Sequence, residues 1–176
     1  MGSHPYFYFT KYQPDINLAL QQLRQQEFEA GRYDPAMNMH DPAWYMFMFK
    51  FPPTEDSVAP GAKHPSIEAA CDDSTEDGTG SILDIEKISD SIRQSASYGL
   101  SSDEVIEVFN TDKPTRETIE ALIDEKDVGS WSEEMREVWE QWYVLLESIG
   151  RGECRHIILY DRDEPSDIFF VGYSWD

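Results

Sequence analysis

Met135, Val138, Trp139, Trp142, Leu145, Leu146 and Ile149 recur at helical spacing and form one continuous apolar stripe, closed by Gly150 and Gly152. Such a stripe must be covered by other apolar surface, and this constrains the fold more than any other feature. Ser130 followed by Glu133 has capping-box spacing at its start, so the sequence predicts a long amphipathic helix near residues 132–148. The cover comes from the two ends of the chain. Tyr6-Phe7-Tyr8-Phe9-Thr10-Lys11-Tyr12 reads as a strand with Phe7 and Phe9 on one face and Tyr6, Tyr8 and Tyr12 on the other. His156 to Tyr160 and Asp167 to Tyr173, joined by a polar turn through Pro165, read as a β-hairpin. The expected fold class is α+β, with a largely antiparallel sheet of N-terminal strand plus C-terminal hairpin covered by helices. With 176 residues the chain fits a single domain over 1–176. A chain of that size buries roughly 70% of the surface its unfolded form exposes, so a core forms without metal or disulfide help.

Between the ends, further elements are legible. Ile16, Ala19, Leu20 and Leu23 recur at helix spacing after Pro14-Asp15, with Gly31 placed as the C-terminal cap. Ser66 to Asp72 predicts a short helix burying Ile67, Ala70 and Cys71, and Ile82 to Ile85 a strand with an acidic outer face. Ser101 with Glu104 has capping-box spacing, and Pro114-Thr115 precedes a helix carrying Ile119, Leu122 and Ile123. The run Trp44 to Phe51 is the most apolar in the chain and must be buried or paired, as a core segment rather than a methionine-lined pocket.

Charge narrows function. Fourteen basic against 35 acidic residues give a net charge of −21, concentrated in residues 51–176. A chain so acidic does not bind nucleic acid or an anionic membrane by neutralising phosphates. No apolar run reaches the length needed to span a bilayer, and two cysteines are too few for a disulfide framework, so the expected compartment is the cytoplasm. The field favours encounter with basic surfaces. The leading expectation is therefore an acidic partner-binding protein, of immunity, inhibitor or regulatory type, that engages a basic protein. Solubility alone is an equally simple use for the charge.

Chemistry-bearing motifs are sparse. There is no phosphate-binding loop, dinucleotide fingerprint, nucleophile elbow or calcium loop, and no metal or cofactor is expected. None of His4, His40, His64 and His156 has a second His or Cys at ligand spacing. Glu27 continues the inward stripe of Ile16, Leu20 and Leu23 and so needs a partner, for which Arg24 and Arg32 are the neighbours. Glu27, Arg32, Tyr33, His40 and Asp41 gather a carboxylate, a guanidinium, a phenol and an imidazole where a loop leaves a helix. They form the candidate ligand-binding set, and the competing expectation is a small-molecule binding protein or hydrolytic enzyme with its pocket near residues 27–41. A Glu27–Arg32 ion pair that merely braces the fold is the alternative.

The segments Ala19-Leu20 with Glu27 to Tyr33, Pro60 to Glu68 with Gly78 to Ile85, and Pro114-Thr115-Arg116 resemble an uncharacterised family of bacterial cytosolic proteins. The resemblance covers about half the chain. It implies a bacterial cytosolic protein of about this size, and no activity or site comes with it.

Overall fold

The computed structural model describes residues 5–34, 36, 59–74, 78–125 and 128–175. Among them, strands β1 (Pro5–Lys11), β2 (Lys87–Ser89), β3 (Ala96–Gly99), β4 (Glu153–Asp161) and β5 (Glu164–Tyr173) form one sheet in the order β1-β5-β4-β3-β2. Five helices accompany it: α1 (Ile16–Ala30), α2 (Ile67–Ser74), α3 (Ser102–Phe109), α4 (Arg116–Asp124) and α5 (Glu133–Ser148). The class is α+β.

The sheet is mixed, which corrects the expectation of a largely antiparallel one. β5 pairs antiparallel with both β1 and β4, but β3 runs parallel to β4 and β2 parallel to β3. A parallel pair needs a long crossover, and residues 100–152, carrying α3, α4 and α5, supply it between β3 and β4. The β2–β3 return over residues 90–95 is short because β2 itself spans only Lys87–Ser89.

Alternation along the end strands sorts the side chains into two cores. Tyr6, Tyr8, Ile168, Phe170 and Cys154 face α1, α2 and the turn at Ile82–Asp84, where Leu20, Leu23, Ala70, Ile82 and Leu83 meet them. Phe7, Phe169, Val171, Ile157 and Leu159 face the other side, where α3 gives Val105 and Phe109, α4 gives Ile119 and Leu122, and α5 gives Val138, Trp142, Leu145 and Leu146. The hairpin turns on Arg162 and Asp163, both at positive φ (47° and 70°) as a two-residue type I′ loop demands. Pro165 therefore lies within β5, opposite Tyr160 and beside a register shift at Leu159/Tyr160, rather than in the turn.

Two local readings are corrected. Ile82–Asp84 is a 3₁₀ turn capped by the Ser81 side chain, and Asp84 points inward rather than forming an acidic outer face. Helix α5 is capped by Ser132, whose hydroxyl accepts from the Met135 amide, whereas Ser130 ends a separate 3₁₀ turn; residue 135 is no carboxylate, so no reciprocal box forms there. The box at Ser101 and Glu104 is complete. The run Trp44 to Phe51 lies outside the described residues.

Phe169 is fully buried at the centre of the sheet and packs on Phe7, Phe9 and Trp142. Phe169→Ala is expected to lower stability by about 3–5 kcal/mol. Val144→Ala, at a position that is 59% exposed, should stay within about 0.5 kcal/mol. Denaturant unfolding of both variants measures the difference.

Candidate functional site

Helix α1 starts at Asp15, whose side chain accepts from the Leu18 amide, and ends at Gly31 in the left-handed conformation. One turn past Leu23 it carries Glu27 into the core, fully buried. Gly31 turns the chain back so that Arg32 Nε donates to Glu27 Oε2 (2.7 Å) and Arg32 Nη2 to Glu27 Oε1 (2.8 Å). This two-pronged pairing is the strongest geometry available to the two groups, and both are withdrawn from solvent.

Tyr33 is also fully buried and stacks on Phe28 with ring centres 5.6 Å apart. Its hydroxyl accepts from the Lys63 amide (3.1 Å) and lies 2.9 Å from His64 Nδ1, while His64 Nε2 lies 3.2 Å from Asp73 Oδ2. A neutral His64 with its proton on Nε2 satisfies every link: Tyr33 donates to Nδ1, and Nε2 donates to Asp73. The chain of bonds ties the end of α1 to α2.

The structure thus brings Glu27 to Arg32, and Tyr33 to His64 and Asp73. His40 and Asp41 lie outside the described residues. His64 and Asp73 were missed in the sequence because they stand far along the chain from Tyr33, with no spacing that marks them. A buried ion pair loses more when one partner goes than when both do. Glu27→Gln and Arg32→Met should each cost about 3–5 kcal/mol. The double variant should cost clearly less than their sum, which equilibrium unfolding of the four-protein cycle will read.

Other titratable groups are held neutral or hidden. Ser97 Oγ and His156 Nδ1 are 2.9 Å apart, and Ser97 is fully buried. Burial pulls the His156 imidazole down to about 4, and the neighbouring Arg155 charge adds to this. Burial also raises the thiols, Cys71 to about 11 and Cys154 to about 12, which keeps both protonated near neutral pH. Asp84 is 8% exposed, and burial raises its carboxyl to about 6 against the opposing backbone hydrogen bonds of residues 79–81. Its Oδ1 accepts from the Thr79 amide (2.8 Å), whereas Oδ2 is buried with no partner.

Asp84 and His156 act on stability with opposite signs. A carboxyl raised from its ordinary 3.8 to about 6 favours the folded state at low pH, and that contribution is lost as pH rises through about 6. An imidazole lowered from 6.5 to about 4 favours unfolding on acidification across the same window, because the unfolded chain takes up the proton first. Asp84→Asn should therefore make stability fall more steeply between pH 6.5 and 4 than in the parent. His156→Gln should make it fall less steeply, and thermal melts across that range distinguish the two.

On the opposite side of the sheet, α3 and α5 pack together and leave a groove between them of about 280 Å³, lined by Glu107, Asn110, Glu137, Glu140 and Gln141. Glu137, Glu140, Gln141 and Val144 stand at i, i+3, i+4 and i+7, which places them on one face of α5. Glu107 and the cap residue Asn110 line the facing edge of α3. Among the described residues no lysine or arginine pairs with Glu107, Glu137 or Glu140, and Ile106 and Val144 are exposed beside them. No group of His, Cys, Asp and Glu among the described residues is arranged to hold a metal ion, and no described helix is long and apolar enough to cross a membrane. Comparison with protein-family models, with curated proteins and with solved structures found no match.

Proposed function

We propose that this is an acidic partner-binding protein that engages a basic protein through the groove between α3 and α5. The observation that carries the reading is the groove itself: three carboxylates without a cationic partner among the described residues share one concave surface, with exposed Val144 one turn beyond Glu140 on α5 and exposed Ile106 one turn before Asn110 on α3. Carboxylates that serve solubility alone can be scattered anywhere. Here they border apolar side chains on two packed helices, which is the composition of a contact patch with a charged rim. Rim charges of this kind steer encounter and set its salt dependence more than they add affinity. An immunity, inhibitor or regulatory role, in which a basic protein is captured quickly, fits that physics.

The competing reading, a small-molecule or hydrolytic pocket near residues 27–41, draws less support. Both carboxylate oxygens of Glu27 are engaged by Arg32, and the Tyr33 hydroxyl is engaged by His64 and the Lys63 amide.

The test is capture from lysate by the protein and by its Glu107→Lys/Glu137→Lys/Glu140→Lys variant, with bound proteins identified by mass spectrometry and then purified for kinetics. The expected result is one basic protein retained by the parent and lost by the variant. Its association rate should fall about tenfold or more as salt rises past 0.1 M, where the screening length is about 10 Å. Equal capture by the two baits would sink the proposal. Both baits must first show the same melting temperature.

A further inference from the structure

A cleft of about 730 Å³ opens between α1, α2 and the Ile82–Asp84 turn, on the opposite side of the sheet from the α3/α5 groove. Ile67, Cys71 and Leu83 give it an apolar floor, and Glu68, Asp72, Asp84 and Glu86 place four carboxylates around it. The cleft's one arginine offsets only part of that charge: Arg24 acts on Glu68, Asp84 and Glu86 through space, but its Nη1 donates to Gln21 Oε1 (2.8 Å), its Nη2 to the Leu83 carbonyl (3.0 Å), and its Nε is buried without a partner. Asp84 is thus a buried carboxylate with one oxygen on the Thr79 amide and the other, Oδ2, without a partner.

Beside it stands Trp175, whose ring also lines the cleft. The ring is wedged between two glycines. A Cβ on Gly78 would stand 2.5 Å from Trp175 Cδ1 and 2.9 Å from Asp84 Oδ2, and a Cβ on Gly152 would stand 2.6 Å from Cε2 and Cζ2. Both glycines are also at positive φ, so no other residue suits either position. The indole and the free carboxylate oxygen therefore meet at one fixed place. A carboxylate with one unpartnered oxygen, next to an aromatic ring in a cleft that sets four carboxylates against one arginine, is the arrangement that recognises an organic cation, by charge-assisted hydrogen bond and by the ring's negative face.

We propose that this cleft binds a small organic cation, its ammonium or guanidinium group donating to Asp84 Oδ2 alongside Trp175. The volume lies within the range of sites for small molecules. The carboxylate must be ionised to hold the cation, so a proton competes with the ligand at Asp84. The other titratable groups around it are Tyr6 and Tyr8 of β1, Arg24 of α1, Glu68, Cys71 and Asp72 of α2, and Glu86. Burial keeps the two phenols and the Cys71 thiol neutral throughout the acidic range.

The experiment titrates the full chain with agmatine, putrescine and arginine, and with succinate as the anionic control, by calorimetry and by the indole N–H resonance of Trp175. At least one cation is expected to bind with a Kd below about 1 mM and to shift that resonance, with succinate silent. Affinity should fall about tenfold from pH 7 to pH 5, as protonation of a carboxyl near 6 requires. Asp84→Asn keeps an oxygen for the Thr79 amide while removing the charge, and should weaken binding at least tenfold at pH 7. Should that variant unfold, Trp175→Ala takes its place with the same expected loss. The α3/α5 charge-reversal variant should bind the cation like the parent, which separates this site from the protein-binding groove. Silence of all three cations, stronger binding of succinate, or unchanged affinity in Asp84→Asn or Trp175→Ala would overturn the proposal.

Discussion

Strand β5 is hydrogen-bonded along both edges, to β1 and to β4, and its residues Ile168 to Val171 are fully buried on both faces. Neither core exists without it. Ile168 and Phe170 close the side covered by α1 and α2, and Phe169 and Val171 close the side covered by α3, α4 and α5. Four such side chains, each stabilising by about 1.5–3 kcal/mol when buried, contribute on the scale of a domain's whole net stability. Every other element is placed relative to this strand. The hairpin brings β4 beside it, β4 sets the register of β3, and the long crossover then lays three helices on one face.

The two faces differ in how they treat charge. The α1/α2 side draws polar groups inward and binds them to partners: Glu27 to Arg32, Tyr33 to His64, and Asp84 to the amide of Thr79. The α3/α5 side keeps most of its carboxylates outside. Two charges are buried there among the described residues: Arg155, anchored by Glu104 at 2.8 Å and by the Tyr98 carbonyl and ring, and Asp167, held by Lys11 at 2.8 Å and Arg116 at 3.7 Å. Fixed, desolvated polar atoms suit the recognition of a small ligand, and an outward acidic surface suits a protein partner.

Much of this was legible because hydrophobic periodicity is strong where an element is long. The faces of β1, the stripe and caps of α1, the capping box of α3 and the strands of the hairpin all follow from spacing alone. What escaped is short or non-local. Lys87-Ile88-Ser89 and Ala96 to Gly99 carry too few apolar residues to show a period, so the parallel half of the sheet had no signature. Ile82 to Ile85 alternates like a strand, yet Ser81 caps it into a turn that buries Asp84. Glu27 was readable as inward, since it continues a stripe, and Arg32 as its neighbour. Nothing in the chain linked Tyr33 to His64, Gly78 to Trp175, or Glu107 to Glu137, because those pairs arise from packing between elements.

The pairing of Phe7 with Val171 joins residues at nearly opposite ends of the described chain. At about 5–20 residues per second, a ribosome leaves β1 without its partner strand for on the order of ten seconds or more. During that interval Tyr6, Phe7, Tyr8 and Phe9 form an unpaired, aromatic strand edge on a nascent chain, a surface prone to mispairing. Synthesis is therefore the period in which this fold most needs a chaperone, and the risk ends when β5 emerges.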